Sequence, residues 1–202
     1  MCSVCILEPE AFPRKGLDDI RKIGRILPAN EFSEADIIFC RISRSLDAEF
    51  INSCPRLKYI VSPTTGLDHI DLHVAEAKGI KVISLKWETK FLDGITATAE
   101  MTWALIMALV RKIPSAAKSV QSGHWDRMRF RGMTLKGCTI GLIGVGRVGK
   151  QVSAFAKAFD MRVLGFDPNV KAYGNVIMTE SLEKLLMESD IVSVHVTSNR
   201  CT

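Results

Sequence analysis

Three glycines, Gly144, Gly146 and Gly149, stand in G-x-G-x-x-G spacing at the end of the apolar run 140–145. In this pattern the first glycine permits a tight turn, the second lets the backbone approach a diphosphate, and the third lets a helix pack closely against a strand. A helix that begins at such a turn offers free N–H groups and the positive end of its dipole to phosphate oxygens. The spacing therefore predicts a dinucleotide site.

An acidic residue, Asp167, ends the next apolar run, residues 161–166. It stands at nearly the distance from the glycines at which a carboxylate accepts hydrogen bonds from a ribose diol. The same carboxylate would repel a 2′-phosphate, and the following Pro168 and Asn169 supply no cation. We therefore expect NAD rather than NADP. The alternative is a glycine-rich turn in another kind of α/β protein.

Alternating strand and helix patterns must position these residues. The alternation predicts an α/β fold with parallel sheets that are covered on both faces. Helix patterns occupy residues 17–26, 47–52, 72–77, 96–112, 115–125, 148–159 and 181–188. Strand patterns occupy residues 3–7, 36–40, 57–62, 80–85, 140–145, 161–166, 176–178 and 191–196. The helix at 96–112 is apolar almost all round, which predicts burial between domains or subunits.

Composition favours a soluble globular protein of the cytoplasm. The hydrophobic share is 47%, the charged share 24% and the net charge +5. The basic residues are spread along the chain, which argues against a nucleic-acid partner. The first residues show no secretory signal pattern, and the longest apolar stretch, 101–110, is too short to cross a membrane. Six cysteines without framework spacing indicate reduced thiols rather than disulfides.

Several segments together resemble the D-isomer-specific 2-hydroxyacid dehydrogenases, and most closely the phosphoglycerate dehydrogenase-like branch of that family. The segments are TTGLDHID (64–71), ATAEMTWALIMALVRKIPSA (97–116), SGHWDR (122–127), LKGCTIGLIGVGRVG (135–149), VLGFDP (163–168) and SDIVSVHV (189–196). The resemblance implies a flavodoxin-like substrate domain at 1–92, hinge and dimerisation helices with a connector at 93–134, and the first half of an NAD-binding Rossmann domain at 135–202. It also implies a homodimer that forms through the helices at 96–125.

The resemblance assigns roles to individual residues of the cofactor and substrate sites. Thr65 and Gly66 would bind the carboxylate of a small 2-hydroxy or 2-oxo acid through their N–H groups, and Thr65 would also touch the cofactor. The cofactor-binding residues that it implies are Thr65, Thr98 at the nicotinamide, Gly144, Gly146, Arg147, Val148 and Gly149 at the diphosphate, Asp167 at the ribose and Val196 at the adenine. The chain departs from the family at one point. Family members usually have x-Pro-Leu after the histidine that ends the strand at 191–196, whereas this chain reads His195-Val196-Thr197-Ser198-Asn199.

The resemblance implies an NAD-dependent oxidoreductase that acts on the CH–OH group of a D-2-hydroxy acid. In this family an arginine binds the substrate, and a histidine, tuned by a glutamate, moves the proton. All three are expected beyond Thr202, so no catalytic residue is predicted within the chain, and we expect a fragment without turnover. The alternatives are a catalytically inactive NAD-binding, dimerising module and a non-functional gene fragment whose open sheet edge favours aggregation.

Four other groups of residues could do chemistry but have simpler interpretations. Cys2 and Cys5 lack a matching second pair and fit core or edge thiols better than a metal site. The pair His69 and His73 lacks the glutamate of H-E-x-x-H, and we expect two solvated histidines near a helix that Asp71 caps. We expect a structural role for His195. The arginines of the connector, Arg127, Arg129 and Arg131, fit a solvated segment, and no metal is predicted.

Overall fold

A computed structural model describes residues 2–197, which divide into two compact units at residues 2–92 and Asp93–Val196. The roles given above to the domains 1–92, 93–134 and 135–202 stay predictions. No helix within residues 2–197 has both the length and the apolar character needed to span a membrane.

The first unit is built on a five-stranded parallel sheet. Its strands are β1 Ser3–Ile6, β2 Arg25–Leu27, β3 Ile37–Phe39, β4 Tyr59–Ser62 and β5 Lys81–Ser84. Its helices are α1 Arg14–Ile23, α2 Ala48–Asn52, α3 Leu72–Ala77 and, at its end, α4 Thr89–Asp93, with short 3₁₀ turns at Pro9–Ala11, Ala29–Glu34 and Leu85–Trp87. The strand order β2-β1-β3-β4-β5 is that of flavodoxin-like folds.

The predicted helix 17–26 is wrong at its C-terminal end. The helix stops at Ile23, and Arg25–Leu27 is the edge strand β2, whose Arg25 N–H donates to the Cys2 carbonyl at 2.9 Å. Gly24 permits this close pairing, because a side chain there would collide with the Cys2 carbonyl oxygen. Ile26 fits the helical spacing in the sequence, but it lies in strand β2 and packs against the core from there.

The second unit is built on a four-stranded parallel sheet of order β8-β7-β6-β9. Its strands are β6 Thr139–Ile143, β7 Arg162–Phe166, β8 Ile177–Met178 and β9 Ile191–Val194. Its helices are α5 Ala97–Val110, α6 Ile113–Gln121, α7 Arg147–Ala158 and α8 Leu182–Glu188. In order along the unit these strands read 3-2-1-4, which is the start of the Rossmann order. The predicted α/β fold class is confirmed.

Helix α5 buries one face within its own unit. Its Trp103 indole N–H donates to the Val152 carbonyl at 3.2 Å, and the ring stacks on Phe159 with 4.8 Å between centroids. The opposite face is exposed in the single chain, and the side chain of Leu109 reaches 77% exposure. This helix is apolar almost all round, but within the described residues only one of its faces is covered by other side chains.

Candidate functional site

The three glycines of the turn between β6 and α7 differ in what surrounds them. Gly144 has φ +93°, and a Cβ there would lie 2.6 Å from the His195 carbonyl oxygen. A Cβ on Gly149 would collide with the Gly144 carbonyl oxygen, so this glycine lets the helix approach the turn. Gly146 has nothing within 4 Å of its would-be Cβ. The second glycine alone thus faces open space, on the side where a diphosphate would approach.

The N-terminus of α7 is open for hydrogen bonding. Gly146 is its N-cap, and no side chain caps it. Within the described residues, no acceptor is bonded to the N–H groups of Val148 and Gly149. Backbone N–H groups and the helix dipole favour an anion at such an end. These features fit the diphosphate of a dinucleotide.

The carboxylate of Asp167, which directly follows β7, is fixed beside the glycine turn. One oxygen accepts from the Val145 N–H at 2.9 Å, and the other accepts from the Asn169 N–H at 2.8 Å. Each carboxylate oxygen keeps a lone pair for a further donor. The half-buried group is therefore oriented for hydroxyl donors next to the turn, as a ribose requires.

Arg147 and Gln151, one turn apart on α7, bind the segment with which the second unit begins. The Arg147 guanidinium donates to the Ile95 carbonyl at 2.9 Å. The Gln151 amide donates to the carbonyls of Asp93 and Ile95 at 3.3 and 3.2 Å. Sequence reasoning missed Gln151, because its partners are backbone carbonyls more than fifty residues away. This contact ties the start of the candidate phosphate-binding helix to the segment before α5.

Two further predicted cofactor residues lie in the second unit. Val196 follows β9 and packs its side chain against Gly144, which places it at the turn. The adjacent His195 is a partly buried neighbour whose Nε2 lies 3.0 Å from the Ser193 hydroxyl, and burial lowers its pKa. Thr98 is exposed in the first turn of α5. Part of the departing loop, residues 198–199, lies outside the described residues.

The predicted carboxylate loop lies in the first unit, at the carboxyl end of β4. Thr65 is exposed and Gly66 half-buried. Within residues 2–197 neither N–H has a hydrogen-bond partner, although the turn is held by a bond from the Thr64 hydroxyl to the Gly66 carbonyl at 2.8 Å. Two adjacent free N–H groups at such a sheet end can bind a carboxylate.

The prediction that His69 is solvated is wrong. His69 is only 9% exposed, and its Nε2 lies 3.2 Å from the Ser62 hydroxyl, whereas His73 is exposed on α3. The reason is that His69 precedes the helix and turns into the unit, while Asp71 caps the helix by accepting from the Val74 N–H at 3.0 Å. In the described part of the chain, no three His, Cys, Asp or Glu side chains are grouped to hold a metal ion.

The other cysteines and arginines have ordinary surroundings. Cys5 is buried in the core of the first unit, where burial raises its pKa to about 11, and Cys2 is half-buried at the start of β1. All three connector arginines are exposed, and Arg129 stands over the Phe130 ring at 5.6 Å. These positions bring no additional reactive group to the candidate sites.

Comparison with protein families assigns both units. A family model described as the D-isomer specific 2-hydroxyacid dehydrogenase NAD binding domain matches residues 103–202. A second, described as the catalytic domain of the same family, matches residues 27–122. Together the two models cover all but the first 26 residues.

Curated relatives and solved structures agree with these matches. The chain is 34% identical to the D-3-phosphoglycerate dehydrogenase of Methanocaldococcus jannaschii over 82% of this chain and 32% of the relative. It is 34% identical to that of Archaeoglobus fulgidus over 95% of this chain and 38% of the relative. The chain thus spans about a third of the length of these relatives.

Among solved structures, D-lactate dehydrogenase from Aquifex aeolicus, complexed with NAD and lactic acid, is 27% identical with a TM-score of 0.80. The match covers 98% of this chain and 61% of that one. An acyclic imino acid reductase in complex with NADPH and D-Arg is 27% identical with a TM-score of 0.83, over 99% of this chain and 67% of that one.

Proposed function

The chain belongs to the D-isomer specific 2-hydroxyacid dehydrogenases, and from this premise we propose that it supplies the NAD site and the carboxylate-binding loop of an oxidoreductase acting on the CH–OH group of a D-2-hydroxy acid. Its second unit carries the family's NAD-binding domain. The substrate is a small 2-hydroxy acid or the corresponding 2-oxo acid, and the phosphoglycerate dehydrogenases among the relatives favour an acid of that kind.

The single observation that carries this proposal is the geometry of the turn at residues 144–149. The turn combines the open space at Gly146, an uncapped helix end and a carboxylate, Asp167, fixed 2.9 Å from the Val145 N–H. A glycine-rich turn in an unrelated α/β protein does not require the open space, the uncapped helix end and the carboxylate together. The expected pattern of a diphosphate beside a ribose diol requires each of them.

The residues of the two candidate sites bind different parts of the cofactor and the substrate in this proposal. Bound NAD supplies a nicotinamide ring that accepts or donates a hydride. The N–H groups of Val148 and Gly149 bind the diphosphate, Asp167 accepts from the ribose hydroxyls, and Thr98 lies at the nicotinamide. In the first unit the N–H groups of Thr65 and Gly66 bind the substrate carboxylate.

We expect the 202 residues by themselves to bind NAD without turnover. The arginine, glutamate and histidine to which the resemblance assigns substrate binding and proton transfer match no position of this sequence. Incubating the purified chain with NAD and D-3-phosphoglycerate or D-lactate should therefore give no NADH absorbance. Measurable NADH formation that follows protein concentration would contradict this part of the proposal.

We further propose that the exposed face of α5 and α6 forms a homodimer. Met101, Leu105 and Leu109 are exposed on α5, as are Ile113 and Val120 on α6. Contiguous apolar surface of this kind marks a protein interface. Sedimentation of the wild type should give a dimer, and Leu105→Glu with Leu109→Glu should give a monomer. This surface also favours the second candidate function, a catalytically inactive NAD-binding, dimerising module.

The test of the cofactor site is a thermal titration with NADH. Ligand at about 100 times its Kd stabilises the native state by about 2.7 kcal/mol, so the Tm of the wild type should rise measurably. The matched control is Gly146→Val, whose side chain fills the open space at the turn. An equal rise in this variant, or no rise in the wild type, would refute the NAD site.

A further inference from the structure

A chain of three hydrogen bonds links the buried His69 to the carboxylate loop. The His69 Nε2 lies 3.2 Å from the Ser62 hydroxyl, which lies 2.8 Å from the Thr64 hydroxyl. The Thr64 hydroxyl in turn lies 2.8 Å from the Gly66 carbonyl oxygen. Ser62 is 1% exposed, so the inner part of the chain is shielded from water.

The direction of every bond follows from the last one. A carbonyl oxygen only accepts, so the Thr64 hydroxyl must donate its one proton to the Gly66 carbonyl oxygen. Thr64 can then only accept from Ser62, whose own proton is thereby used. Ser62 must accept from His69, and the proton of the imidazole therefore sits on Nε2.

The other tautomer would reverse the chain. With the proton on Nδ1, Nε2 becomes an acceptor and takes the Ser62 proton, Ser62 then accepts from Thr64, and the Gly66 carbonyl loses its donor. Gly66 carries one of the two N–H groups proposed to bind the substrate carboxylate. The tautomer of the buried His69 thus determines whether the hydrogen bond from Thr64 to the Gly66 carbonyl, which closes this turn, is formed.

The surroundings of His69 favour the neutral form. Burial lowers its pKa, while the nearby Asp68 and Glu8 carboxylates act in the opposite direction and only partly offset it. The Nδ1 atom is buried and has no partner within the described residues. The thiol of Cys40, which also faces Ser62, is protonated at neutral pH, because burial raises its pKa to about 11. A neutral thiol is only a weak hydrogen-bond acceptor, so it does not draw the Ser62 proton away from Thr64 as a thiolate would.

We propose that His69, as its neutral Nε2–H tautomer, is a positioning residue that acts through Ser62 and Thr64 to hold the loop 64–66 closed, with the Thr65 and Gly66 N–H groups free for a substrate carboxylate. The role of the loop rests on the proposed function, whereas the link between His69 and the loop rests on geometry alone.

Nitrogen NMR of the full chain tests the tautomer directly. The ¹⁵N shift of His69 Nε2 should be that of a protonated nitrogen and that of Nδ1 an unprotonated one at neutral pH. The exposed His73 serves as the internal reference. A protonated Nδ1 with a bare Nε2 would overturn the proposal.

Variants test the effect on the loop. In His69→Leu the Ser62 hydroxyl loses its donor, so the ligand-free amide signals of Thr65 and Gly66 should shift and broaden, and the Kd for pyruvate read from these signals should rise about tenfold. In His69→Gln the side-chain amide can donate in place of Nε2, so the Kd should return to within about twofold of the wild type. His73→Gln is the matched control and should change neither.

The two proposals fail in different ways. If pyruvate shifts neither amide of the wild type, the substrate role of the loop is refuted, while the ligand-free signals still decide the role of His69. If His69→Leu leaves those signals and the pyruvate Kd unchanged, the positioning role is refuted. Should His69→Leu not fold, Thr64→Val cuts the same chain at its outer end, with Thr64→Ser as its control. Unchanged loop signals in Thr64→Val would equally refute the proposal.

Discussion

Gly146 and Gly149 are only three residues apart, yet the surroundings of each give it a different physical purpose. Gly146 faces open space, whereas Gly149 lies against the Gly144 carbonyl oxygen. Gly146 therefore leaves room for a ligand, whereas Gly149 lets the helix approach the turn. These surroundings fit the separate roles that the motif predicts for its second and third glycines.

The first prediction separates these two purposes with the same substitution. Gly146→Ala should change the Tm by less than about 2 °C, because its φ of −74° and open surroundings suit alanine, but NADH affinity should fall at least about tenfold. Gly149→Ala should lower the Tm by about 5 °C or more, because the added methyl group overpacks the turn. Differential scanning fluorimetry with and without NADH measures both. A large loss of Tm in Gly146→Ala would contradict the assignment.

The second prediction concerns the specificity given by Asp167. Asp167→Asn keeps an oxygen for the Val145 N–H but removes the charge and half of the acceptors. NADH should bind about tenfold more weakly, and NADPH should gain relative to it, because a carboxylate no longer repels the 2′-phosphate. Fluorescence titration with both dinucleotides gives the ratio. Glu180→Gln, an exposed acid on the same unit, is the control, and an unchanged ratio in Asp167→Asn would count against the ribose contact.

At the scale of elements, the two sheets repeat one device at the starts of their strands. Asp36, before β3, exchanges bonds with Ser3 of β1, donating its N–H to the Ser3 carbonyl and accepting the Ser3 N–H at 2.9 Å. Asp190, before β9, does the same with Thr139 of β6, accepting at 2.8 Å. Each aspartate thus closes the end of the parallel ladder, where backbone groups would otherwise lack partners.

The third prediction follows from the charge on Asp36. The Ser3 N–H and the Lys58 ammonium hold the pKa of its carboxyl below the usual 3.8. A depressed folded pKa means that the ionised group stabilises the fold fully above pH 3.8, and that this stability is lost as the pH falls through the folded value. Asp36→Asn should therefore be less stable at pH 7 by about 1–2 kcal/mol and lose less on acidification.

Urea unfolding at pH 7 and at several pH values below 4 measures this difference. Asp18→Asn is the control, because that carboxylate is exposed and, among residues 2–197, forms an ion pair only with the neighbouring Arg21. Parallel acid profiles of wild type and Asp36→Asn would show that the Asp36 carboxylate contributes nothing.

At the scale of the whole molecule, the second sheet ends in strand β9, whose outer edge has no partner strand among the described residues. Among the described residues, β9 pairs only with β6, and its Val194 is 62% exposed. An open apolar edge is a template for pairing with another chain. The fourth prediction is that Val194→Lys reduces aggregation of the purified chain at least severalfold without lowering its Tm.

Light scattering during incubation at high protein concentration measures that effect. The control is Val152→Lys, a buried position in α7 where a charge should unfold the unit rather than protect it. Equal aggregation of Val194→Lys and wild type would show that association uses another surface, such as the exposed side of α5.

The sequence by itself determined what local spacing controls. The period of the apolar residues located most strands and helices, because side chains that alternate or recur at helical spacing must share a buried face. The glycine spacing and Asp167 determined the kind of ligand, because a tight turn at a helix start and an acid at the next strand end are local requirements of a diphosphate and a ribose. The helix start capped by Asp71 followed from the same local chemistry.

Only the tertiary structure decided what depends on distant partners. The strand β2 was hidden within a helical period, because its partner Cys2 lies more than twenty residues away. The burial of His69 and the binding of residues 93–95 by Gln151 likewise depend on groups that the fold brings together. Hydrogen bonds to backbone carbonyls, and the direction of a buried chain of hydrogen bonds, do not change the periodicity of residue types in a sequence. Their energy depends on geometry and on exclusion of water, which exist only once the chain is folded.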